Sequence, residues 1–432
     1  MTSNHLRGSV SALGLIAALT FGAASAGATE GYFQTGYGTI QKAQGGAGVA
    51  NPEDAMTLSV NPAGLVHVGN QFNMAFTLCS PRRDVTVGTP GLLPMGKTES
   101  HMNHFLMPNM AYSRQIDAQS AWGVAVFGNG GMNTSYPAVA NPTCALMGGG
   151  SGLFCGGPAG VNLEQMFVTV GYARKMGDLS IGVAPIIAMQ KFRAAGLGAF
   201  GMMGFSTDPT KLTNNGDDYS FGAGVRVGLQ YNLQPGLRLG LTGQTPIWST
   251  KLDKYAGLFA DGGSFDIPGS VSAGLAWDVT KDLTLMADWR HIFYSGVPAI
   301  ANSSLNPALF GAKGGPGFGW SDVDAFSLAA AYKATADLTL RLGYSHNTNP
   351  VHSRDVLLNI LAPGVVTDRF SAGASYKVTP SSGIDLAFGY VPRSNVSGAT
   401  PVLVTPLGAM PSQNVRLSME QWEASVGYTY KF

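Results

Sequence analysis

The chain has 432 residues, and only 12% of them are charged, about half the share of roughly 25% found in soluble globular domains. Gly accounts for 59 residues, while hydrophobic residues keep an ordinary share of 45%. This composition excludes a disordered chain, which needs high charge and few aromatics, and the formal net charge of +1 gives no basic footprint for nucleic acid. Beyond the N-terminus no apolar run reaches about 18 residues, so helical membrane spans are excluded too.

The N-terminus has the features of a secretory signal peptide over residues 1–28. Arg7 supplies a positive charge, Val10–Phe21 is apolar, and small residues end at Ala26 and at Ala28, the two candidate cleavage sites. A short membrane anchor is the alternative, but the apolar stretch is short for a span. We therefore expect the mature chain to leave the cytoplasm.

Residues 29–68 are rich in Gly and Ala and show no sustained alternation of apolar and polar residues. Their length suits a hatch, a plug folded into the lumen of a barrel that residues 69–432 would form. An unfilled barrel of about 14 strands would otherwise hold water. A loose periplasmic tail is the alternative.

Residues 69–432 alternate between apolar and polar residues with the period of a β-strand. In Glu420–Phe432 the alternation is strict over about 13 residues, longer than the usual five or six of a soluble strand and enough for a tilted membrane strand. Aromatic residues at both ends of its apolar face fit interfacial girdles. Leu237–Thr242, Leu283–Arg290 and Leu338–Ser345 repeat the pattern.

Six short turns alternate with seven long connections rich in Gly and Pro. The long connections lie near 80–104, 136–163, 194–217, 251–267, 295–321, 347–367 and 392–417. This alternation predicts an all-β fold, a 14-stranded antiparallel transmembrane β-barrel with short periplasmic turns and long outer loops. A soluble β-sandwich also alternates, but strand length and the secretion signal favour the barrel.

Three cysteines are present, and two of them, Cys144 and Cys155, flank a Gly-rich stretch. In an oxidising compartment we expect a disulfide between these two. The chain has no Cys-x-x-Cys motif and its seven His residues are scattered, so no metal site and no cofactor is predicted.

Two long connections are unusually apolar for exposed loops. The residues are Leu197, Phe200, Met202, Met203 and Phe205 in the connection taken as the fourth outer loop, and Leu153 and Phe154 in the one taken as the third. Exposed apolar clusters mark interaction surfaces, and Met suits a groove with varied ligands. The alternative is that these residues only pack the loops together.

The third predicted strand is interrupted by Gly128, Asn129, Gly130 and Gly131. Gly inside a strand often marks a bulge or bend. Backbone groups left unpaired by a bend are tolerated in a membrane only beside protein or water. A bulge without a transport role is the alternative to a gate.

Several loose motifs, in their order and spacing, resemble the FadL/TodX family of outer-membrane transporters over essentially the whole mature chain. They are Gly45-Gly46-Ala47-Gly48, Glu53-Asp54, Asn61-Pro62-Ala63, Pro108-Asn109, Trp122-Gly123, Asn349-Pro350, Asn359 to Pro363, Ser371 to Gly373, and the terminal Phe432. The resemblance implies a 14-stranded barrel closed by a hatch that contains Asn61, Pro62 and Ala63. It also implies an outer-membrane location, contact with lipid and lipopolysaccharide, and recognition of Phe432 by the assembly machinery.

The same resemblance implies passive transport of long-chain fatty acids or other hydrophobic compounds. The substrate would rest on a groove between the third and fourth outer loops, enter an internal pocket and leave sideways at the kink at 128–131. The resemblance implies that Lys191 and Arg193 contact the carboxylate of a fatty acid. The alternative is that the basic residues pair with carboxylates of the protein inside the lumen. Residues 359–366 look closer to the aromatic-hydrocarbon branch, so the substrate stays open.

Three other functions compete with this one. A polar-solute porin predicts an open and charged constriction, whereas charge is sparse here. A barrel enzyme would need a catalytic group, but Ser345 and His346 are adjacent in a strand and point to opposite faces. An adhesin is disfavoured by the modest length of the outer loops.

Overall fold

The computed structural model describes residues 30–147, 149–405 and 408–432. The predicted signal peptide lies outside the described residues. Within the described ranges, no helix is long and apolar enough to cross a membrane.

Fourteen long antiparallel strands follow one another around a single closed sheet, in which the first strand pairs with the last. Their bounds are β1 (Gln71–Val87), β2 (Phe105–Gln115), β3 (Ser120–Asn133), β4 (Gly160–Met176), β5 (Leu179–Ala195), β6 (Asp218–Gln234), β7 (Leu237–Gln244), β8 (Ser270–Asp278), β9 (Leu283–Ile292), β10 (Val323–Lys333), β11 (Leu338–Asn347), β12 (Asp368–Thr379), β13 (Ser382–Ala399) and β14 (Asn414–Lys431). The predicted 14-stranded barrel is confirmed.

Alternation along each strand separates a lipid-facing side from a lumen-facing side. On β14, Ala424, Val426 and Tyr428 are exposed, whereas Ser425 and Gly427 between them are buried. Exposed aromatic residues next to the short turns form one girdle: Trp122, Tyr172, Tyr231, Trp277, Tyr332 and Tyr376. An apolar band with aromatic edges is the surface that a membrane β-barrel presents to lipid.

Two of the predicted long connections are shorter than expected, because strands next to the barrel closure continue above the apolar band. β1 extends to Val87, β13 to Ala399, and β14 begins at Asn414. The predicted bounds 80–104 and 392–417 are therefore wrong. In this region polar residues pair across strands, as Arg393 does with Asp84, so the backbone ladder persists where the apolar alternation has ended.

Strand order also corrects the numbering of the outer loops. The connection between β3 and β4 is the second outer loop, and the connection between β5 and β6 is the third, not the third and fourth as predicted. The true fourth outer loop joins β7 to β8, the fifth joins β9 to β10, and the sixth joins β11 to β12.

Short elements lie in the N-terminal segment and the loops. The α-helices are Thr39–Ala43, Leu65–Val68, Gly198–Met202, Ala260–Gly263, Pro298–Ala301 and Val356–Asn359. The 3-10 helices are Ala55–Ser59, Pro62–Gly64, Pro142–Met147, Pro209–Lys211, Asp253–Tyr255, Tyr294–Gly296 and Ser353–Asp355. Further short strands are Gly96–Glu99, Trp248–Ser249, Leu403–Thr405 and Gly408–Met410.

The N-terminal segment, residues 30–68, lies against the inner face of the barrel. Nine wall glycines on nine different strands touch it so closely that an added Cβ would lie within 3 Å of another atom: Gly123, Gly171, Gly182, Gly228, Gly240, Gly274, Gly343, Gly373 and Gly427. At Gly182, for example, the clash would be with the backbone of Pro62, 2.3 Å away. The glycine richness of the chain thus lets the segment pack flush against the wall.

Candidate functional site

An apolar pocket, called here the outer pocket, lies among the outer loops above the barrel. It has an empty volume of about 450 Å³, part of it open to solvent. Its lining is almost entirely apolar and comes from the third to sixth loops and the top of β5: Phe192, Leu197, Phe200, Leu212, Phe259, Phe310, Phe318, Leu358 and Leu361. Apolar walls of this kind are typical of small-molecule sites.

The predicted groove residues divide into three groups. Leu197 and Phe200 line the outer pocket, and Leu153, Phe154 and Met203 are buried in the same apolar cluster. Phe205 is partly buried, and Met202 is 49% exposed. The expectation of an exposed apolar cluster is therefore wrong for the five buried side chains, because the loops fold over one another and remove their apolar surface from water.

Aromatic rings continue from the outer pocket towards the third strand. Phe259 contacts Phe265, with ring centroids 4.8 Å apart, and Phe265 faces Tyr32 of the N-terminal segment at 6.4 Å. A second connection runs along the fifth loop, where Phe318 of the outer pocket lies 6.3 Å from Trp320. Both routes meet where Tyr32 and Trp320 pack at 6.1 Å.

The third strand leaves the barrel wall at the predicted glycine cluster. β3 pairs with β2 only as far as Phe127, and its pairing with β4 shifts register between Gly128 and Gly130. Beyond Ala125 its residues are buried on both faces, except for the half-buried Gly128, whereas a wall strand exposes alternate residues. The upper part of β3 is therefore bent inwards, which leaves a gap in the ladder between β2 and β3.

The N-terminal segment occupies the edge of β3 that β2 has left. Phe33 forms a β-bridge with Gly130. The amide of Gln34 donates to the carbonyl of Asn129 (3.1 Å), and the amide of Gly131 donates to the carbonyl of Tyr32 (3.1 Å). These bonds satisfy backbone groups that would otherwise be unpaired in the gap.

A second chamber, called here the kink chamber, borders this gap. It has an empty volume of about 360 Å³, partly open, and its lining includes Gly131, Met132, Trp320, Pro363 and Met419. Trp320 belongs to its wall and contacts Phe318 of the outer pocket. The outer pocket and the kink chamber are therefore neighbours, separated by aromatic side chains.

Ion pairs fix the N-terminal segment to the wall. Lys42 lies 3.0 Å from Glu423, which also pairs with Arg369 at 2.7 Å, and all three side chains are buried. Glu30 pairs with Arg290 at 3.1 Å, and Glu53 pairs with Arg341. Further wall contacts come from Asp288, which accepts hydrogen bonds from the amides of Gly48 (2.7 Å) and Val49 (2.9 Å).

The motif Asn61-Pro62-Ala63 ties the segment together locally. The Asn61 side chain accepts from the amide of Ala63 (3.1 Å) and donates to the carbonyls of Val49 (2.8 Å) and Leu229 of β6 (3.0 Å). An Asn at a helix N-cap commonly satisfies a free amide in this way. Here the same side chain also joins two stretches of the segment to the barrel.

Burial shifts the pKa values of carboxyl groups in the segment. Burial, followed by the nearby Asp385 and Glu53 carboxylates, raises the pKa of Asp54 to about 7. Burial likewise raises the pKa of Glu30, with Arg290 acting in the opposite direction. The packing of the segment is therefore coupled to protonation near neutral pH.

A polar cavity of about 550 Å³ lies between the segment and the wall strands β6 to β10. Charged and hydroxyl side chains line it, among them Glu30, Arg226, Asp288, Arg290 and Ser272. Such a lining does not favour a hydrocarbon, because burying the apolar compound there would desolvate the polar groups.

Lys191 and Arg193, the predicted carboxylate contacts, do not reach the outer pocket. They lie on the outward face of β5, opposite Phe192, which lines the pocket. Lys191 is 3.5 Å from Glu164 and 3.6 Å from Asp217, and Arg193 is 3.8 Å from Asp217. Lys191 and Arg193 are the two neighbours of Phe192 in the strand, and successive side chains of a strand point to opposite faces. Because Phe192 points inwards, both of them point outwards.

Cys144 and Cys155 form a disulfide within the second outer loop, with Cα atoms 5.1 Å apart. Phe154, next to Cys155, packs on Phe200 of the third loop at 5.3 Å. The disulfide thus holds a loop segment that supports one wall of the outer pocket. Among the described residues, no cluster of His, Cys, Asp or Glu is suited to hold a metal ion.

Sequence reasoning missed much of the outer pocket. Phe259, Phe310, Phe318 and Leu361 lie in the fourth, fifth and sixth loops, far apart in the chain. Each lies in a Gly- or Pro-containing loop without a periodic alternation of apolar and polar residues, so its neighbours in the sequence do not indicate a pocket. Phe192 was detectable, because it continues the inward face of β5 beyond the apolar band.

A closed barrel with a lipid-facing apolar band, a segment held in its lumen and a pocket among its outer loops defines an outer-membrane transport protein. The chain belongs to the outer membrane protein transport family (OMPP1/FadL/TodX), whose family model matches residues 17–432. This membership places the chain in the bacterial outer membrane and excludes the enzyme alternative.

Solved structures share the fold at low sequence identity. The toluene transporter TodX of P. putida matches with a TM-score of 0.66 and 19% identity, over 92% of this chain and 99% of that chain. A FadL homologue of Pseudomonas aeruginosa matches with a TM-score of 0.69 and 16% identity, over 93% and 100%. The toluene transporter TbuX of Ralstonia pickettii gives 0.64 and 18%, over 92% and 99%. A search of curated protein sequences gives no significant match.

Proposed function

We propose that the protein carries hydrophobic compounds passively across the outer membrane, with the outer pocket as the entry site and the kink in β3 as a lateral exit. The observation that carries the proposal is the contact of Phe318 with Trp320, which joins the outer pocket to the kink chamber beside the gap. The N-terminal segment acts as the hatch.

The axial route through the lumen and the lateral route through the gap differ in the polarity of their surroundings. Within the barrel, the axial route meets a polar cavity and a segment packed against glycines of nine strands. Sideways, the gap between β2 and β3 faces the lipid, into which an apolar solute partitions favourably. Toluene, which the similar transporters TodX and TbuX carry by their description, is the first substrate to test.

A polar-solute porin is disfavoured by the same geometry. It would need a water-filled path along the barrel axis, whereas the N-terminal segment occupies the lumen and buries its ion pairs with the wall. Closure of the axis favours the lateral route over the axial one.

The test measures uptake of labelled toluene and labelled oleate, separately, in a Gram-negative host without its own hydrophobic transporter. Phe200→Gln introduces a polar group into the outer pocket and is expected to lower uptake at least about tenfold. Met202→Gln, in the same helix but exposed, is the matched control and is expected to leave uptake unchanged. Equal uptake by Phe200→Gln and the unaltered protein, or entry of small sugars instead of hydrocarbons, would overturn the proposal.

A further inference from the structure

The kink chamber contains a buried cation that has no acidic partner. Arg83 on β1 lines the chamber, and its side chain is 5% exposed. Other buried cations of the lumen, such as Lys42, Arg290, Arg341 and Arg369, each pair with a carboxylate. Within the described ranges, no ion pair involves Arg83, and its Nε has no hydrogen-bond partner.

The other described residues that line the chamber around Arg83 carry no charge. There is no Asp or Glu among them, and the apolar part is formed by Met132, Trp320, Pro363 and Met419. Arg226 is a second buried arginine without an ion pair, but Glu30 and Asp288 line its cavity. A buried and unpaired charge is unfavourable, so the kink chamber favours an anion with an apolar remainder.

Arg83 also connects the two sides of the gap. Its guanidinium donates to the carbonyl of Asn133, at the end of β3, and to the carbonyl of Met102, three residues before β2. The ring of Phe105, the first residue of β2, lies 5.7 Å below the guanidinium. Arg83 thereby joins the upper ends of two strands that no longer pair with each other.

We propose that Arg83 binds the carboxylate of an amphiphilic substrate in the kink chamber, and that this binding loosens the upper end of the gap. A carboxylate accepts from a guanidinium in a bidentate and charge-assisted manner, with roughly twice the strength of a neutral acceptor. It therefore competes with the carbonyls of Asn133 and Met102 for the same N–H groups. The apolar tail occupies the surface formed by Met132, Trp320 and Met419.

This inference rests on the proposed lateral route but adds a selectivity that the route alone does not require. An uncharged hydrocarbon passes the chamber without engaging Arg83. A carboxylic acid of the same size is held there by its charge, beside the gap through which it leaves.

The experiment compares binding of decanoate and of 1-decanol to the purified full chain in detergent by titration calorimetry. Arg83→Met keeps an apolar stem and removes the charge. It is expected to lower the affinity for decanoate at least about tenfold and to change the affinity for 1-decanol less than about twofold. Arg83→Lys is expected to retain part of the decanoate affinity, because it keeps the charge but not the planar fork.

Arg82→Met is the matched control, since Arg82 is the exposed neighbour on the opposite face of β1. If Arg83→Met does not fold, as judged by its heat-modifiable gel mobility, Arg83→Gln replaces it. Unchanged decanoate affinity, or an equal loss for decanoate and 1-decanol, would overturn the role of Arg83. Uptake of labelled toluene and of labelled oleate by cells with the unaltered protein is measured in parallel, so that the absence of both identifies a failure of the proposed function instead.

Discussion

The buried cluster of Lys42, Glu423 and Arg369 provides the sharpest test of how the N-terminal segment is held in the lumen. Lys42 belongs to the segment, whereas Glu423 and Arg369 belong to β14 and β12. Glu423→Gln keeps the shape of the side chain but removes the carboxylate that the two cations share. We expect this substitution to release the segment from this part of the wall.

The expected loss of stability depends on which buried charges lose their partner. Arg369 donates twice to Glu423, at 2.7 and 3.2 Å, so Glu423→Gln leaves a buried guanidinium without its anion. Breaking a buried ion pair in this way costs about 3–5 kcal/mol. Burial lowers the pKa of Lys42 and Glu423 opposes that effect, so Lys42 gives up its proton more readily in the variant and adds less to the cost.

Lys42→Met is the informative comparison, because it leaves Glu423 paired with Arg369. Its main consequence is the loss of the bond from Lys42 to the Gln34 amide oxygen, 2.9 Å long, and an unsatisfied buried acceptor costs about 1–3 kcal/mol. Glu423→Gln is therefore expected to destabilise more than Lys42→Met. Glu420→Gln on the same strand is the control, since its pairing with Arg393 at 4.0 Å is partly exposed and contributes little.

Cys79 offers a built-in reporter for this test. It is a free and fully buried thiol, and it lies directly opposite Glu423 in the pairing of β1 with β14. The rate at which a maleimide labels Cys79 in the folded protein measures local opening, and the urea midpoint measures the whole barrel. A labelling rate in Glu423→Gln within about threefold of the unaltered protein, or a larger effect of Lys42→Met, would refute the reasoning, since about 3 kcal/mol corresponds to roughly a hundredfold.

Two further predictions concern the N-terminal segment. In Gly130→Ala the added Cβ would lie 1.8 Å from the carbonyl oxygen of Tyr32, so the bridge at Phe33 breaks, and we expect faster uptake of labelled toluene. For Asp54, whose pKa of about 7 lies above the unfolded value of 3.8, the folded state binds more protons. Stability against urea is therefore expected to fall as the pH rises from about 4 to 7, and Asp54→Asn, which still caps the 3-10 helix, is expected to remove that dependence.

The matched variant for the first of these is Gly243→Ala, whose Cβ would meet only Val271 at 3.9 Å. Toluene uptake by Gly130→Ala at the rate of Gly243→Ala would contradict the assignment of residues 32–34 as the closure of the gap. For the second, the urea midpoint is measured at pH 5 and pH 8. A pH dependence that survives in Asp54→Asn would assign it to another group, such as Glu30, whose pKa burial also raises.

The barrel and its membrane location were predictable from the sequence, because every spanning strand must present one face to lipid and one to the lumen. Apolar and polar residues therefore alternate along each strand, as in Glu420–Phe432, and turn residues lie between the strands. The break at residues 128–131 was visible for a related reason, since Gly has no side chain to pack. Strand ends were less predictable, because β1 and β13 continue above the lipid, where polar residues such as Asp84 and Arg393 pair with each other.

The candidate site was decided by tertiary structure. Loops carry no periodic constraint, so nothing local indicates that Phe200, Phe259 and Phe318 meet in one pocket, or that Arg83 faces the kink of a strand 50 residues further on. The resemblance to a family gave Lys191 and Arg193 as carboxylate contacts, but the inward direction of Phe192 turns both outwards. The sequence determined which face of each strand meets lipid, because each residue of a strand must by itself suit either the lipid or the lumen. Which residues share a pocket depended on closure of the ladder, because only closure brings the tops of distant strands, and the N-terminal segment, into one space.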